Sequence, residues 1–188
     1  MKCLPSQTIG PFYHFGLTSN QALGCLVRPD AKGKHIRVCF HLMDGDGIPV
    51  PDGMIEIWQA DAAGKYDHPA DSQEQAADPA FCGFGRLSTD AAGVCCFDTV
   101  YPGRVPDGRG GCQAPHLNIS VFARGLLGRL CTRVYFQGDP ALAEDPVLAL
   151  VPPERRDTLI ACRASGEGEQ WSLEIHLQGE QETVFFDI

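Results

Sequence analysis

The sequence predicts an all-β fold, an antiparallel β-sandwich with little helix, on three observations. Several segments alternate apolar and polar residues with a period of two. The 21 glycines and 14 prolines among 188 residues punctuate those segments as turns. No long stretch sustains the 3.6-residue period of an amphipathic helix. Strands with one apolar face bury it best against a second sheet.

The chain begins with a segment of no clean period, residues 4–18. Pro5 and Pro11 are read as excluding helix there, and Gly10-Pro11 as setting a turn or extended bend. Phe12, Tyr13 and Phe15 are costly to leave in water. Residues 1–18 are therefore expected to form an arm that docks on its own domain or on another chain, with residues 19–188 as the sandwich domain.

In residues 35–42, Ile36, Val38, Phe40 and Leu42 alternate with His35, Arg37, Cys39 and His41, and Asp44-Gly45-Asp46-Gly47 follows as turn chemistry. Residues 54–59 give a second strand. Residues 65–82 form a long polar connection, which is either functional or a solvated excursion. Residues 84–87 and 94–100 read as strands joined by a turn. In residues 130–136, Leu130, Thr132, Val134 and Phe136 share a face. A short helix is expected over 154–162 after Pro152-Pro153, then a strand with Trp171, Leu173, Ile175 and Leu177 alternating, and a last strand over 183–188.

The most informative strand is residues 114–124. Leu117, Ile119, Val121 and Ala123 share one face, and His116, Asn118, Ser120 and Phe122 the other. Two imidazoles at that spacing make a metal claw; an imidazole beside an amide makes a poor one.

Composition narrows the function classes. A formal charge of −9 argues against nucleic acid, and means that an anionic substrate needs a locally placed cation. The nine cysteines include no Cys-x-x-Cys pair, which disfavours a zinc ribbon. The first residues hold no apolar signal region and no run suits a membrane span. The cysteines are expected to be reduced small hydrophobes, mostly buried, in a cytoplasmic protein.

Motifs in fixed order then identify a family. Ser6-Gln7-Thr8-x-Gly10-Pro11-Phe12-Tyr13 comes first, then Ile57-Trp58-Gln59-Ala60-Asp61 with Gly64-x-Tyr66. Gly85-Arg86, Thr89-Asp90 and Gly93 follow, then Pro102-Gly103, Pro115-His116-Leu117-Asn118-Ile119-Ser120 and Val134-Tyr135-Phe136. This succession resembles the intradiol ring-cleavage dioxygenases from about residue 4 to the end. It is most similar to the alpha chains of two-chain members acting on protocatechuate, a likeness the tail Glu182-Thr183-Val184-Phe185-Phe186-Asp187 shares.

The resemblance implies a sandwich like transthyretin and a heteromer in which a beta chain carries non-heme Fe(III) on two tyrosines and two histidines. The implied reaction is intradiol cleavage of 3,4-dihydroxybenzoate with O2 to 3-carboxy-cis,cis-muconate. The ligand positions fall here on His116, Asn118, Val105 and the neighbourhood of Ser72-Gln73, so one of four survives. No metal is expected on this chain, and Fe(III) is expected on the partner beta chain. The resemblance also implies that the alpha chain lends its N-terminal segment and an arginine to the partner's pocket, at Thr8, Gly10, Pro11 and Arg124. Without the resemblance, Arg124 reads as a surface ion-pair partner. Two other readings remain open from the residues alone: a freestanding transthyretin-like binding module, and a metalloenzyme joining His116 to His41, His35 or His14.

Overall fold

The computed structural model describes residues 5–164 and 168–187. Its first element corrects the sequence reading: Pro11–Thr18 is an α-helix, α1, with Pro11 in the first turn. A first-turn amide has no intrahelical acceptor, so a proline there loses no hydrogen bond and its fixed φ already suits the helix. Gly10, before it, keeps the extended backbone expected of it, with φ −96° and ψ 170°. A 3-10 turn over Gln21–Gly24 leads on, capped by the Asn20 side chain, which accepts from the Ala22 amide.

Four strands follow: β1 (His35–Met43), β2 (Met54–Trp58), β3 (Phe84–Ser88) and β4 (Val94–Val100). Then come the short pair β5 (Val105–Pro106) and β6 (Cys112–Gln113). The chain continues with β7 (Leu117–Phe122), β8 (Leu130–Phe136), β9 (Ile160–Arg163) and β10 (Gln170–His176). Each major strand predicted before residue 178 is present. Of the helix expected over 154–162, Pro153–Leu159 forms as a 3-10 helix and the rest becomes β9. The strand expected over 183–188 is reduced to one bridge, Phe186 with Cys131, and Ile188 lies outside the described residues.

Eight strands run in the order β3-β2-β7-β8-β9-β10-β1-β4. Most neighbours are antiparallel, but β1 with β10 and β8 with β9 pair in parallel. The sheet folds over on itself so that β3 and β4, its two edges, come close. The result is a sandwich with a shared core. Ile36, Val38, Phe40, Leu42 and Phe97 from one half meet Ile55, Ile57, Leu117, Ile119 and Val121 from the other. These are the inward members of the alternating patterns, and their removal from water is the main force holding the halves together.

The cysteine expectation is overturned in two respects. Cys39 and Cys96 form a disulfide. They are register partners in the β1–β4 ladder, so the ladder itself sets their sulfurs side by side. Cys25, Cys82, Cys112 and Cys162 are exposed thiols, and only Cys95 and Cys131 of the described free cysteines are buried. Among the described residues, no helix is long and apolar enough to cross a membrane.

The long connection after β2 is largely exposed, yet it is tied down by a few buried polar groups. Asp61, 3% exposed, accepts from the amides of Ala63, Lys65 and Asp78, tying both ends of the loop to one carboxylate. Lys65 pairs with Asp71 at 3.0 Å and donates to the Asp71 and Gln73 carbonyls. Burial alone would raise the Asp71 carboxyl, but the amides of Gln73 and Tyr66 and the Lys65 ammonium hold it at about 2. The loop is thus a rigid wall for what lies beside it.

Candidate functional site

That wall borders an open cavity of about 480 Å³ with Trp58, Tyr66, His68, Gln73 and Val105 among its lining residues. Trp58 and Tyr66 stack, with centroids 5.7 Å apart. Strand β7 lies between β2 and β8, and its register sets Asn118 between Trp58 and Arg133. Leu117, Ile119 and Val121 are buried on the inner face as predicted; Asn118, Ser120 and Phe122 are half-buried on the outer one.

His116, just before β7, is 2% exposed, and its Nδ1 lies 2.8 Å from the Ala114 carbonyl oxygen. A carbonyl can only accept, so Nδ1 carries the proton and donates it. Asn118 Nδ2 donates to the Trp58 carbonyl at 3.3 Å and to the Tyr66 hydroxyl at 3.1 Å. Burial raises the Tyr66 phenol, which therefore stays protonated at neutral pH.

These residues do not fit a ferric ion. Hard Fe(III) favours anionic oxygen beside imidazole. Here the slots hold one imidazole, one amide already donating to two partners, one valine, and Ser72-Gln73 in place of a phenolate. Among the described residues no group of three His, Cys, Asp or Glu side chains is placed to hold a metal. The alternative set fares no better: His35 Nε2 is engaged by the Ala31 carbonyl, His41 lies on β1 in the other half of the fold, and the His14 side chain lies outside the description.

Burial, aided by the nearby Arg133 charge, pushes the His116 imidazole down to about 4. The unfolded chain takes that proton near 6.5 and the folded chain does not, so stability falls as pH drops from about 6.5 to about 4 and levels off below. The expected loss is roughly 3 kcal/mol across that window. Urea unfolding at several pH values checks it: His116→Gln flattens this part of the profile, and an unchanged profile in that variant would remove His116 as its source.

The residues assigned to the partner's pocket lie elsewhere. Arg124 follows the far end of β7, roughly 26 Å along the strand direction from His116 at about 3.3 Å per residue. There Thr8 and Arg124 come together as the sequence could not show. Thr8 Oγ1 accepts from the Gly125 amide at 2.7 Å, so the arm is fastened to the turn that carries Arg124. That turn needs its glycine, because Gly125 has φ +91°. Arg124 pairs with Asp52 yet leaves 70% of its side chain exposed. Gly10 is exposed, with nothing within 4 Å of where a side chain would start. Pro11, the fourth assigned residue, opens α1, which packs beside β3.

Sequence reasoning missed Asp52, Gln113 and Arg133. Asp52 and Gln113 carry no signal in isolation. Arg133 does: it is the one charged residue in the apolar strand 130–136.

Comparison with known proteins agrees with this architecture. A family model described as Dioxygenase matches residues 9–179. The protocatechuate 3,4-dioxygenase alpha chain of Pseudomonas putida is 43% identical, over 97% of this chain and 95% of the relative. The protocatechuate 3,4-dioxygenase beta chain of Burkholderia cepacia is 35% identical, over 95% of this chain and 77% of its own. Among solved structures, the dioxygenase domain of a dioxygenase–carbohydrate-binding protein fusion from Streptomyces sp. SirexAA-E superposes with a TM-score of 0.63, at 23% identity, covering 93% of this chain and 99% of that one. At that identity it bears on the fold alone. With a family match over nearly its whole length and full-length relatives above 30% identity, the chain belongs to the intradiol dioxygenase family.

Proposed function

We propose that this chain is the alpha subunit of a heteromeric protocatechuate 3,4-dioxygenase. With an iron-bearing beta chain it carries out intradiol cleavage of 3,4-dihydroxybenzoate with O2 to 3-carboxy-cis,cis-muconate. One observation carries the reading: a full-length match to an alpha chain, at 43% identity, in a fold whose own ligand slots do not fit iron. The partner's ferric ion would bind and activate the catechol for opening between its two hydroxyl-bearing carbons.

The part of this chain is to complete that pocket and the assembly. The arm, residues 1–18, docks on the partner. Its backbone at Gly10 allows close approach, Pro11 starts α1 with a fixed φ, and Thr8 fixes the arm to the Arg124 turn. The Arg124 guanidinium then orients the substrate carboxylate, supplying the local cation that a chain of net charge −9 requires. Exchange of its exposed pairing with Asp52 for a substrate carboxylate costs little, because exposed ion pairs contribute about 0–1 kcal/mol. The six unpaired thiols among the described cysteines are compatible with a cytoplasmic location, which is part of the proposal.

Coexpression with a protocatechuate 3,4-dioxygenase beta chain tests the reading. The two chains should purify together and open protocatechuate to the carboxymuconate. A chain that forms a stable homo-oligomer and ignores the beta chain would instead favour the transthyretin-like binding module.

A further inference from the structure

Three segments meet around the slots where the resemblance puts metal ligands, and two neighbouring side chains, Asn118 and Arg133, join them. Asn118 and Arg133 are register partners in the β7–β8 ladder, so both side chains rise from the same face. Arg133 Nη1 donates to Gln113 Oε1 at 2.5 Å, and Gln113 is in turn the register partner of Val105 in the β5–β6 pair. From the other side, Asn118 holds the long loop through the Tyr66 hydroxyl. The guanidinium is therefore bonded to the hairpin that carries one vacant slot and stands beside the residue that fills another.

The groups around it match a site that already holds a cation. Val105, Gln113 and Asn118 carry no charge. The nearby carboxylates are committed elsewhere: Asp71 to Lys65, and Asp145 to the Tyr135 hydroxyl and the amides of Ala114, Val147 and Leu148. A guanidinium is always protonated and presents its donors in a rigid fork. A metal ion placed beside it would meet repulsion that a half-buried setting screens only in part.

We propose that the Arg133 guanidinium is this chain's replacement for a metal centre. Its fork ties the β5–β6 hairpin to the β7–β8 pair, and its charge keeps cations out of the site. The loss of ligands at 105 and 118 is then coupled to Arg133, and restoring ligands alone does not restore a metal site.

Two measurements on the full-length chain test this, with Co(II) as the metal probe at neutral pH. Asn118→His recreates a His-x-His pair with His116. Asn118→His/Arg133→Gln should bind Co(II) at least about tenfold tighter than Asn118→His, read by calorimetry and by the visible bands of the ion. Equal binding by the two variants, or binding by neither, overturns the exclusion role. Separately, Arg133→Gln should lower the melting temperature by about 3–8 °C, with Arg133→Lys recovering only part because lysine lacks the fork. An unchanged melting temperature in Arg133→Gln overturns the tie.

Discussion

Arg124→Ala in the assembled alpha–beta complex is expected to lower kcat/KM for protocatechuate by about tenfold to a hundredfold, with iron content unchanged. The size follows from what is lost: a hydrogen bond between charged groups contributes about 1.5–3 kcal/mol. Arg124 sits 70% exposed on a turn held by Thr8, so its removal leaves no hole in this chain and should not unfold it. If the guanidinium holds the carboxylate equally in the ground and transition states, the loss appears as a raised KM. If it aligns the ring for opening, kcat falls too. Arg124→Lys, which keeps the charge but not the planar fork, should fall between. Kinetics matching those of the unaltered complex would remove Arg124 from the site.

Gly64→Ala is expected to cost about 3–5 kcal/mol of stability, the upper range for a single substitution. Gly64 has φ +82°, a left-handed conformation that alanine adopts only with strain. A Cβ there would also lie 2.0 Å from the Arg104 carbonyl oxygen, and that contact is with backbone, which cannot swing aside. The reciprocal crossing is as tight: a Cβ on Gly103 would lie 2.3 Å from the Gly64 amide nitrogen. Here the long loop crosses the irregular segment leading to Val105, and the Gly103 amide donates to the Asp61 carbonyl. The cavity wall depends on this crossing. Denaturant unfolding of Gly64→Ala reads the effect, and an unchanged midpoint would show that the loops can part without loss.

The two glycines also show how much of the fold the sequence made legible. Gly64-x-Tyr66 and Pro102-Gly103 are recognisable as motifs, but their meeting is visible only once the loops are placed. The strands were legible because one buried face forces alternation, as in residues 35–42 and 114–124. The parallel pairing of β1 with β10 was not, since nothing local in either strand encodes a partner so distant in the chain. The Cys39–Cys96 disulfide was hidden for the same reason: a separation of 57 residues says nothing without the β1–β4 register.

Local rules failed where position within an element decides their sign. Pro11 was read as a helix breaker, but a proline in a first turn is a helix starter. The tail around Phe186 reads as a strand, yet among the described residues it forms one β-bridge with β8, beside a bond from the Thr132 hydroxyl to the Val184 carbonyl. At the site, the residues at the positions the resemblance assigns to ligands, His116, Asn118 and Val105 among them, could be read directly from the sequence. Arg133 stood out only as the one charge in an apolar strand; its place beside those positions was hidden, because it is set by a ladder partner and a hydrogen bond to a different hairpin.

The central claim is that this chain holds no catalytic metal and acts through a partner that does. Iron quantification under one protocol, on the chain purified alone after Fe addition and on the coexpressed alpha–beta complex, tests it most directly. The account predicts a colourless, inactive lone chain without stoichiometric iron, and a coloured complex holding about one iron per alpha–beta pair, on the expectation of a single vacated site here. A lone chain that takes up stoichiometric iron, shows tyrosinate-to-iron absorption and opens protocatechuate would contradict it.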